Sequence, residues 1–127
     1  MKRATWLDDR GRQWHIEIPQ TRRERTRGLL GRSHLPTGHA LLLQRARSVH
    51  TFGMSFAIET VLLDATLRVV QVVRMPPGRL LLPRPRVRHV LETAAGADIA
   101  VGEVVQAIQV GPVVPVTVHP SDDVSSW

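Results

Sequence analysis

Two glutamates stand in strongly apolar stretches of the chain, and they are the residues best placed to do chemistry. Glu59 lies in AIETVLLD and Glu92 lies in VRHVLET. Side chains of an extended segment alternate between two faces, so each glutamate shares a face with apolar neighbours. Two carboxyl groups about 5 to 10 Å apart could support a glycosidase-like hydrolysis. We favour the other interpretation, that each is a core carboxylate paired with a basic residue, the candidates being Arg74, Arg88, His50 and His89.

The six histidines raise the question of a metal site. Their spacing matches no helical or loop signature for zinc. A site assembled from separate strands would best use His50, His89 and Glu92. Cysteine is absent, which excludes disulfides, thiolate ligands and cysteine nucleophiles. We therefore expect no metal and no cofactor.

Positive charge is the most unusual bulk property of the chain. It has 17 Lys and Arg against 11 Asp and Glu, and all but one of the basic residues are arginine. Guanidinium groups bind phosphates and carboxylates in a bidentate manner, so an anionic partner is one interpretation and a solvated basic face is the other. With three Trp, two Phe and no Tyr, the chain offers few rings for base stacking. Nucleic acid is therefore not the partner that we expect.

The elements that must position these residues are mostly short strands. Residues 4–19 read as a β-hairpin around Asp-Asp-Arg-Gly, and Thr21 with Glu24 forms a capping-box pattern that predicts one short helix over about 22–30. Seven further runs are rich in β-branched residues, at 40–44, 49–56, 58–64, 67–75, 87–93, 103–110 and 114–119. This pattern predicts a mainly β, single-domain fold over residues 1–127, an antiparallel β-sandwich or barrel-like structure with a loosely ordered tail at 119–127.

The stretch HTFGMSF, residues 50–56, is the part of this pattern that bears on a pocket. If it is extended, His50, Phe52, Met54 and Phe56 share one face. The apolar members of that face are predicted to pack against the core, with His50 at the rim of the core. The proline-rich segment MPPGRLLLPRPR is expected to be a surface loop or an edge, because proline cannot donate a hydrogen bond to a central strand.

The expected location of the chain is the cytoplasm. Its first residues, MKRATWLDDRGRQW, contain no apolar stretch of the roughly 7 to 15 residues that a signal peptide requires. No segment approaches the roughly 20 apolar residues of a membrane-spanning helix.

The ordered series ERTRGLLGRSHLPTGHALLL, VHTFGMSFAIETVLLD, VRHVLETAAG and VGEVV resembles the uncharacterised domain of unknown function 192, also called uncharacterised protein family 127. The resemblance covers about residues 20–106. It implies a mainly β, single-domain fold with one short helix near the start, and it implies no activity, cofactor or catalytic residue. Many relatives have Pro-Ile-Asp or Pro-Leu-Asp where this chain has Ala57-Ile58-Glu59, and many begin with an export signal.

Three functions of different kinds are compatible with the sequence. We prefer a non-enzymatic binding or accessory module that holds a small anionic or carbohydrate-like ligand at a rim near His50 and Glu59. The alternatives are a hydrolase that uses Glu59, Glu92 and His50, and an interaction subunit that binds a protein partner in a surface or secretion assembly. The candidate ligand-binding or buried polar cluster comprises His50, Thr51, Met54, Glu59, Arg74, Arg88, His89 and Glu92.

Overall fold

A computed structural model describes residues 1–109 of the chain. It contains nine strands and one helix over that range: β1 (Lys2–Asp8), β2 (Gln13–Ile18), α1 (Arg22–Arg27), β3 (His39–Leu43), β4 (Val49–His50), β5 (Ile58–Leu63), β6 (Val69–Met75), β7 (Leu80–Leu81), β8 (His89–Ala94) and β9 (Val105–Gln109). The predicted mainly β fold with one short helix is confirmed. The predicted strand at 114–119 and the predicted tail at 119–127 lie outside the described residues.

Seven of the strands form one sheet in the order β6-β5-β8-β3-β2-β1-β9, and β4 and β7 form a separate two-stranded ribbon. Every pairing is antiparallel except that of β2 with β3, which is parallel. The sequence pattern predicts antiparallel strands throughout, and the β2–β3 pair departs from that prediction. The parallel pair arises because α1 and the loop after it carry the chain from the end of β2 back to the start of β3, as parallel neighbours require.

The sheet is barrel-like but is not a continuous barrel in the described part of the chain. Its two ends approach each other at one isolated bridge, between Arg68 and Val104. Backbone hydrogen bonds from Gly102 to Val69 and from Val105 to Leu67 support this approach. The first strand, β1, lies between β2 and β9, so the two ends of the described chain are neighbours.

Both faces of the sheet are buried in its central strands β3, β5 and β8, and the predicted alternation along the strands is confirmed. On the inner face, Val61 and Leu91 pack with Trp14 and other residues from the strands of the curled sheet. On the outer face, Leu62 and Val90 pack beneath the loop that follows α1 and the β4–β7 ribbon. Burial on both faces explains why these strands read as nearly continuous apolar runs.

The helix α1 is shorter than predicted and ends at Arg27 rather than at residue 30. Its start follows the prediction: Thr21 accepts a hydrogen bond from the backbone of Glu24, and the Glu24 side chain completes the capping box. Gly28 ends the helix with a φ of 47°, a conformation that glycine adopts with little strain. The chain is thereby redirected so that Leu29 packs into the outer core.

The strand predicted at 49–56 is wrong beyond its first two residues. Only Val49 and His50 are extended, and residues 51–57 turn. Gly53, at a φ of 81°, lies within this turn. The turn leaves Phe52 about half exposed, so the expectation that it faces the core is wrong. The proline-rich segment is confirmed as peripheral, although β7 within it pairs with β4.

Candidate functional site

A cavity of about 200 Å³ lies between α1 and the outer face of the sheet. We call it the Glu92 cavity, because Glu92 is the one acid among the described residues that line it. Its walls combine apolar groups with a few polar ones. The lining residues that bear on its chemistry are Arg25, Thr26, Arg27, Leu30, Ser48, His50, Met54 and Glu92.

Glu92 lies in the middle of β8, opposite Leu41 of β3 and Thr60 of β5. Its position in a central strand fixes the carboxyl group on the outer face of the sheet, where only 5% of the residue is exposed. Burial raises the pKa of Glu92 to about 7, and no charge or hydrogen-bond donor of the described residues offsets that effect. Glu92 is therefore a buried carboxyl group that takes up a proton readily and borders the Glu92 cavity.

Asp8 shows how this fold treats a buried carboxyl group that serves structure. It is 6% exposed, comparable to Glu92. It accepts hydrogen bonds from Trp14 Nε1 at 3.0 Å, from Arg12 Nε at 2.7 Å and from the backbone of Arg10 and Arg12. Burial opposes ionisation here too, but these hydrogen bonds outweigh it and hold the pKa of Asp8 below its usual value. The contrast singles out Glu92 as the buried acid without a structural partner.

His50 and Met54 border the same cavity as Glu92. His50 is exposed; its Nδ1 accepts a hydrogen bond of 3.3 Å from the backbone of Phe52, and its ring stacks on Phe52. Met54 is half-buried and packs against the outer core. These three are the predicted site residues that the structure brings together.

Thr51 has a structural contact rather than a place in the cavity lining. Its buried hydroxyl donates to the carbonyl of Pro76 at 2.7 Å and accepts from the backbone N–H of Arg79 at 2.8 Å. The backbone N–H of Thr51 donates to the Arg79 carbonyl as well. Thr51 therefore fixes the turn after β4 to the segment that enters β7.

Glu59 is not brought together with Glu92. Its partners across the sheet are Arg74 and Thr93, whereas Glu92 pairs with Thr60, so the two carboxyl groups lie on opposite faces. Glu59 is half-buried and accepts a 3.1 Å hydrogen bond from the backbone of Gly96. The paired-carboxylate arrangement that a hydrolase would need is thus not formed by these two residues.

The remaining predicted site residues lie apart from the cavity. Arg74 and Arg88 are exposed. His89 is half-buried, its Nδ1 accepts from the backbone of Arg45 at 3.0 Å, and burial lowers its pKa. His89 and Glu92 point to opposite faces, so the trio with His50 does not converge. Among residues 1–109, no three His, Asp or Glu side chains are placed to hold a metal ion.

The part of the cavity wall that follows the capping box was not predicted from the sequence. Thr26 and Arg27 line the cavity from the end of α1, and Leu30 lines it from the turn after Gly28. Ser48, just before β4, adds a second hydroxyl. No spacing signal marks these residues, because they come from a helix end and a loop that meet only in the folded chain.

Comparison with known proteins agrees with this fold. A family model described as Uncharacterized ACR, the domain of unknown function 192, matches residues 5–107. This chain belongs to that family. The resemblance noted from its sequence blocks is therefore confirmed and extends beyond the range expected from them.

One relative is similar in sequence over part of its length. A UPF0127 family protein of Pyrococcus horikoshii is 37% identical over 49 residues, which is 39% of this chain and 43% of that protein. The chain thus matches less than half the length of that relative.

Two solved structures share the fold at low identity. One is a Novosphingobium aromaticivorans protein of unknown function, with a TM-score of 0.67, 18% identity and coverage of 80% of this chain and 81% of the other. The second, from Sinorhizobium meliloti, is described provisionally as a transcription regulator, with a TM-score of 0.65, 16% identity and coverage of 80% and 89%. Likeness at this identity concerns the fold alone.

Within residues 1–109, no helix has the length and apolar character needed to cross a membrane.

Proposed function

We propose that this chain is a non-enzymatic binding module and that the Glu92 cavity is its ligand site. The observation that supports the proposal is a buried carboxyl group that borders a cavity and receives no hydrogen bond from the described residues. Burial disfavours the charged form of Glu92 and none of the described residues donates a hydrogen bond to it, so a ligand that donates one would stabilise the carboxyl group. Asp8, with four hydrogen bonds at similar burial, shows that the fold can satisfy such a group when it serves structure.

The size of the cavity favours a small ligand. Its volume of about 200 Å³ lies below the roughly 300 to 1,000 Å³ of pockets for larger organic ligands. The volume suits a molecule of about one sugar ring.

The chemistry of the lining favours a hydroxylated ligand that is anionic or carbohydrate-like. A protonated Glu92 can both donate to and accept from a ligand hydroxyl, and Thr26 and Ser48 add two hydroxyl groups. Arg27 and Arg25, the second of which also donates to the Gln44 carbonyl at 2.9 Å, line the helix side of the cavity, where a guanidinium group can pair with a carboxylate or phosphate. A sugar acid or sugar phosphate combines both requirements.

A binding role is preferred over hydrolysis because Glu92 has no second carboxylate beside it among the described residues that line the cavity. Two-carboxylate hydrolysis needs an acid and a base, or a nucleophile, on the same side of the sheet. The interaction-subunit alternative stays a prediction. The cytoplasmic location expected from the sequence is also a prediction, which cell fractionation with an antibody against the chain can check.

The test is a thermal-shift and calorimetric screen with D-glucose, D-glucuronate, glucose 6-phosphate and inorganic phosphate at pH 6. A ligand that binds only the folded state raises the melting temperature. We expect a rise with the hydroxylated anions, and we expect Glu92→Gln to weaken it.

Matched controls separate the cavity from the rest of the surface. Glu59→Gln changes an acid on the opposite face of the sheet and should leave binding unchanged. Arg27→Ala should weaken anion binding, whereas Arg23→Ala, on the same helix but outside the cavity lining, should not. Equal losses in Glu92→Gln and Glu59→Gln, or no response to any of the four compounds, would refute the assignment of the ligand class to this cavity.

A further inference from the structure

The outward side of the β4–β7 ribbon carries three large apolar side chains that the core does not cover. Phe52 is 51% exposed, Leu80 is 57% exposed and Leu82 is 65% exposed. Leu81, between the two leucines, is buried, so Leu80 and Leu82 are the outward members of an alternating segment. We call Phe52, Leu80 and Leu82 the ribbon patch.

Backbone pairing brings the two parts of the ribbon patch together. His50 is the direct partner of Leu80 across the ribbon, and the ring of His50 stacks on Phe52 at a centroid distance of 5.2 Å. Thr51 ties this turn to Arg79 by hydrogen bonds in both directions. The apolar groups therefore form one surface rather than three scattered side chains.

The chain segment that contains Leu80 and Leu82 is positively charged and has no acidic residue. From residue 65 to residue 91 there is no Asp or Glu, and the same stretch contains six arginines: Arg68, Arg74, Arg79, Arg84, Arg86 and Arg88. Arg79 directly precedes Leu80, and Arg86 follows Leu82 by four residues; both are exposed. A partner that binds this surface is therefore expected to have an apolar region bordered by negative charge.

We infer that the ribbon patch binds the surface of a lipid bilayer that contains anionic lipids. Side chains that are more than half exposed project from the protein, and a bilayer interface accepts projecting apolar groups without a shaped pocket. Arginines that flank such groups attract the anionic headgroups. This inference is independent of the Glu92 cavity, because the three side chains of the ribbon patch are not among the residues that line it.

The absence of cysteine makes a site-specific test straightforward. Leu82→Cys, labelled with a polarity-sensitive fluorophore, is titrated with vesicles of pure phosphatidylcholine and with vesicles that contain 30% phosphatidylglycerol, a composition chosen as about one anionic lipid in three. The control is Val101→Cys, since Val101 is also 65% exposed but lies in the turn before β9. We expect a blue-shifted, brighter emission only at position 82 and only with the anionic vesicles. No change at position 82, or equal changes at both positions, would overturn the inference.

Co-sedimentation of the otherwise unmodified chain provides a second measurement. The double variant Leu80→Ser with Leu82→Ser should reduce binding to anionic vesicles by about tenfold or more, because burial of two leucines is lost. Val101→Ser should bind as the wild type does. Far-UV circular dichroism confirms that each variant is folded before the comparison is made, and equal binding by the double variant and the wild type would contradict the inference.

Charge reversal tests the role of the arginines and separates a membrane from an acidic protein. Arg79→Glu with Arg86→Glu should reduce vesicle binding by more than about tenfold, whereas Arg22→Glu with Arg23→Glu on α1 should not. Polyglutamate is titrated into the labelled Leu82→Cys protein in parallel. A fluorescence response to polyglutamate without a response to anionic vesicles would overturn the membrane assignment and identify an acidic polypeptide as the partner class.

Discussion

Replacement of Glu92 by glutamine should change how the stability of this domain depends on pH. Glu92 has an ordinary pKa of 4.5 and a pKa of about 7 in the folded chain, because burial disfavours its charged form. The difference of about 2.5 pKa units corresponds to about 3 kcal/mol of unfolding free energy. Between pH 4.5 and about 7, the folded chain holds a proton that the unfolded chain releases.

The sign of the effect follows from that proton. The stabilising contribution of protonated Glu92 is fully present below pH 4.5 and is lost as the pH rises through about 7. Glutamine is neutral at every pH and close in size to glutamic acid. The unfolding free energy of the Glu92→Gln variant minus that of the wild type should therefore be about 3 kcal/mol larger above pH 7 than it is at pH 4.5.

Urea denaturation at a series of pH values from 4 to 9, followed by the fluorescence of the buried Trp6 and Trp14, measures this difference. Ser48→Ala, which removes a non-ionisable group from the same cavity, is the control and should keep the wild-type pH dependence. Parallel curves for the wild type and Glu92→Gln between pH 5 and 8 would refute the claim that burial holds a proton on Glu92.

Three further substitutions test the contacts around the site. Glu59→Ala should lower the unfolding free energy by about 1 kcal/mol, because a half-exposed carboxylate loses one backbone hydrogen bond; a loss above about 3 kcal/mol in urea denaturation would indicate a paired core carboxylate instead. Asp8→Ala should lower the unfolding free energy by about 3 kcal/mol, since the indole of Trp14 and the Arg12 side chain lose their hydrogen-bond acceptor. Calorimetry at pH 7, with Asp9→Ala measured alongside, shows whether the loss is specific to Asp8. Thr51→Val should lower the unfolding free energy by about 2 kcal/mol because the Pro76 carbonyl and the Arg79 N–H each lose a hydrogen-bond partner, whereas an unchanged melting temperature would show that the turn does not depend on the hydroxyl.

The sheet was largely predictable from the sequence because its strands obey a period of two. Ile58, Leu62 and Val90 lie on the outer face, as the alternation required. The capping box of Thr21 and Glu24 likewise fixed the start of α1. Such local signals suffice where backbone conformation and burial depend on neighbouring residues.

The site was only partly predictable because its parts meet through tertiary structure. The stretch at 50–56 has the composition of a strand, but Gly53 adopts a positive φ and Thr51 is bound to the proline-rich segment, so the chain turns and exposes Phe52. Glu59 and Glu92 looked equivalent in sequence. The register of β5 against β8 places them on opposite faces, and neither sequence segment alone contains that information.

The position of β1 between β2 and β9 has a consequence for the order in which the chain can fold. During synthesis the β1–β2 hairpin is made first, but the strand that covers the free edge of β1 is about a hundred residues later in the sequence. Until β9 emerges from the ribosome, that edge presents unpaired backbone groups to other chains. We expect nascent chains that stop before residue 105 to aggregate or to recruit chaperones. We also expect folding to be slow, because the pairing of β1 with β9 joins segments that are far apart in the sequence.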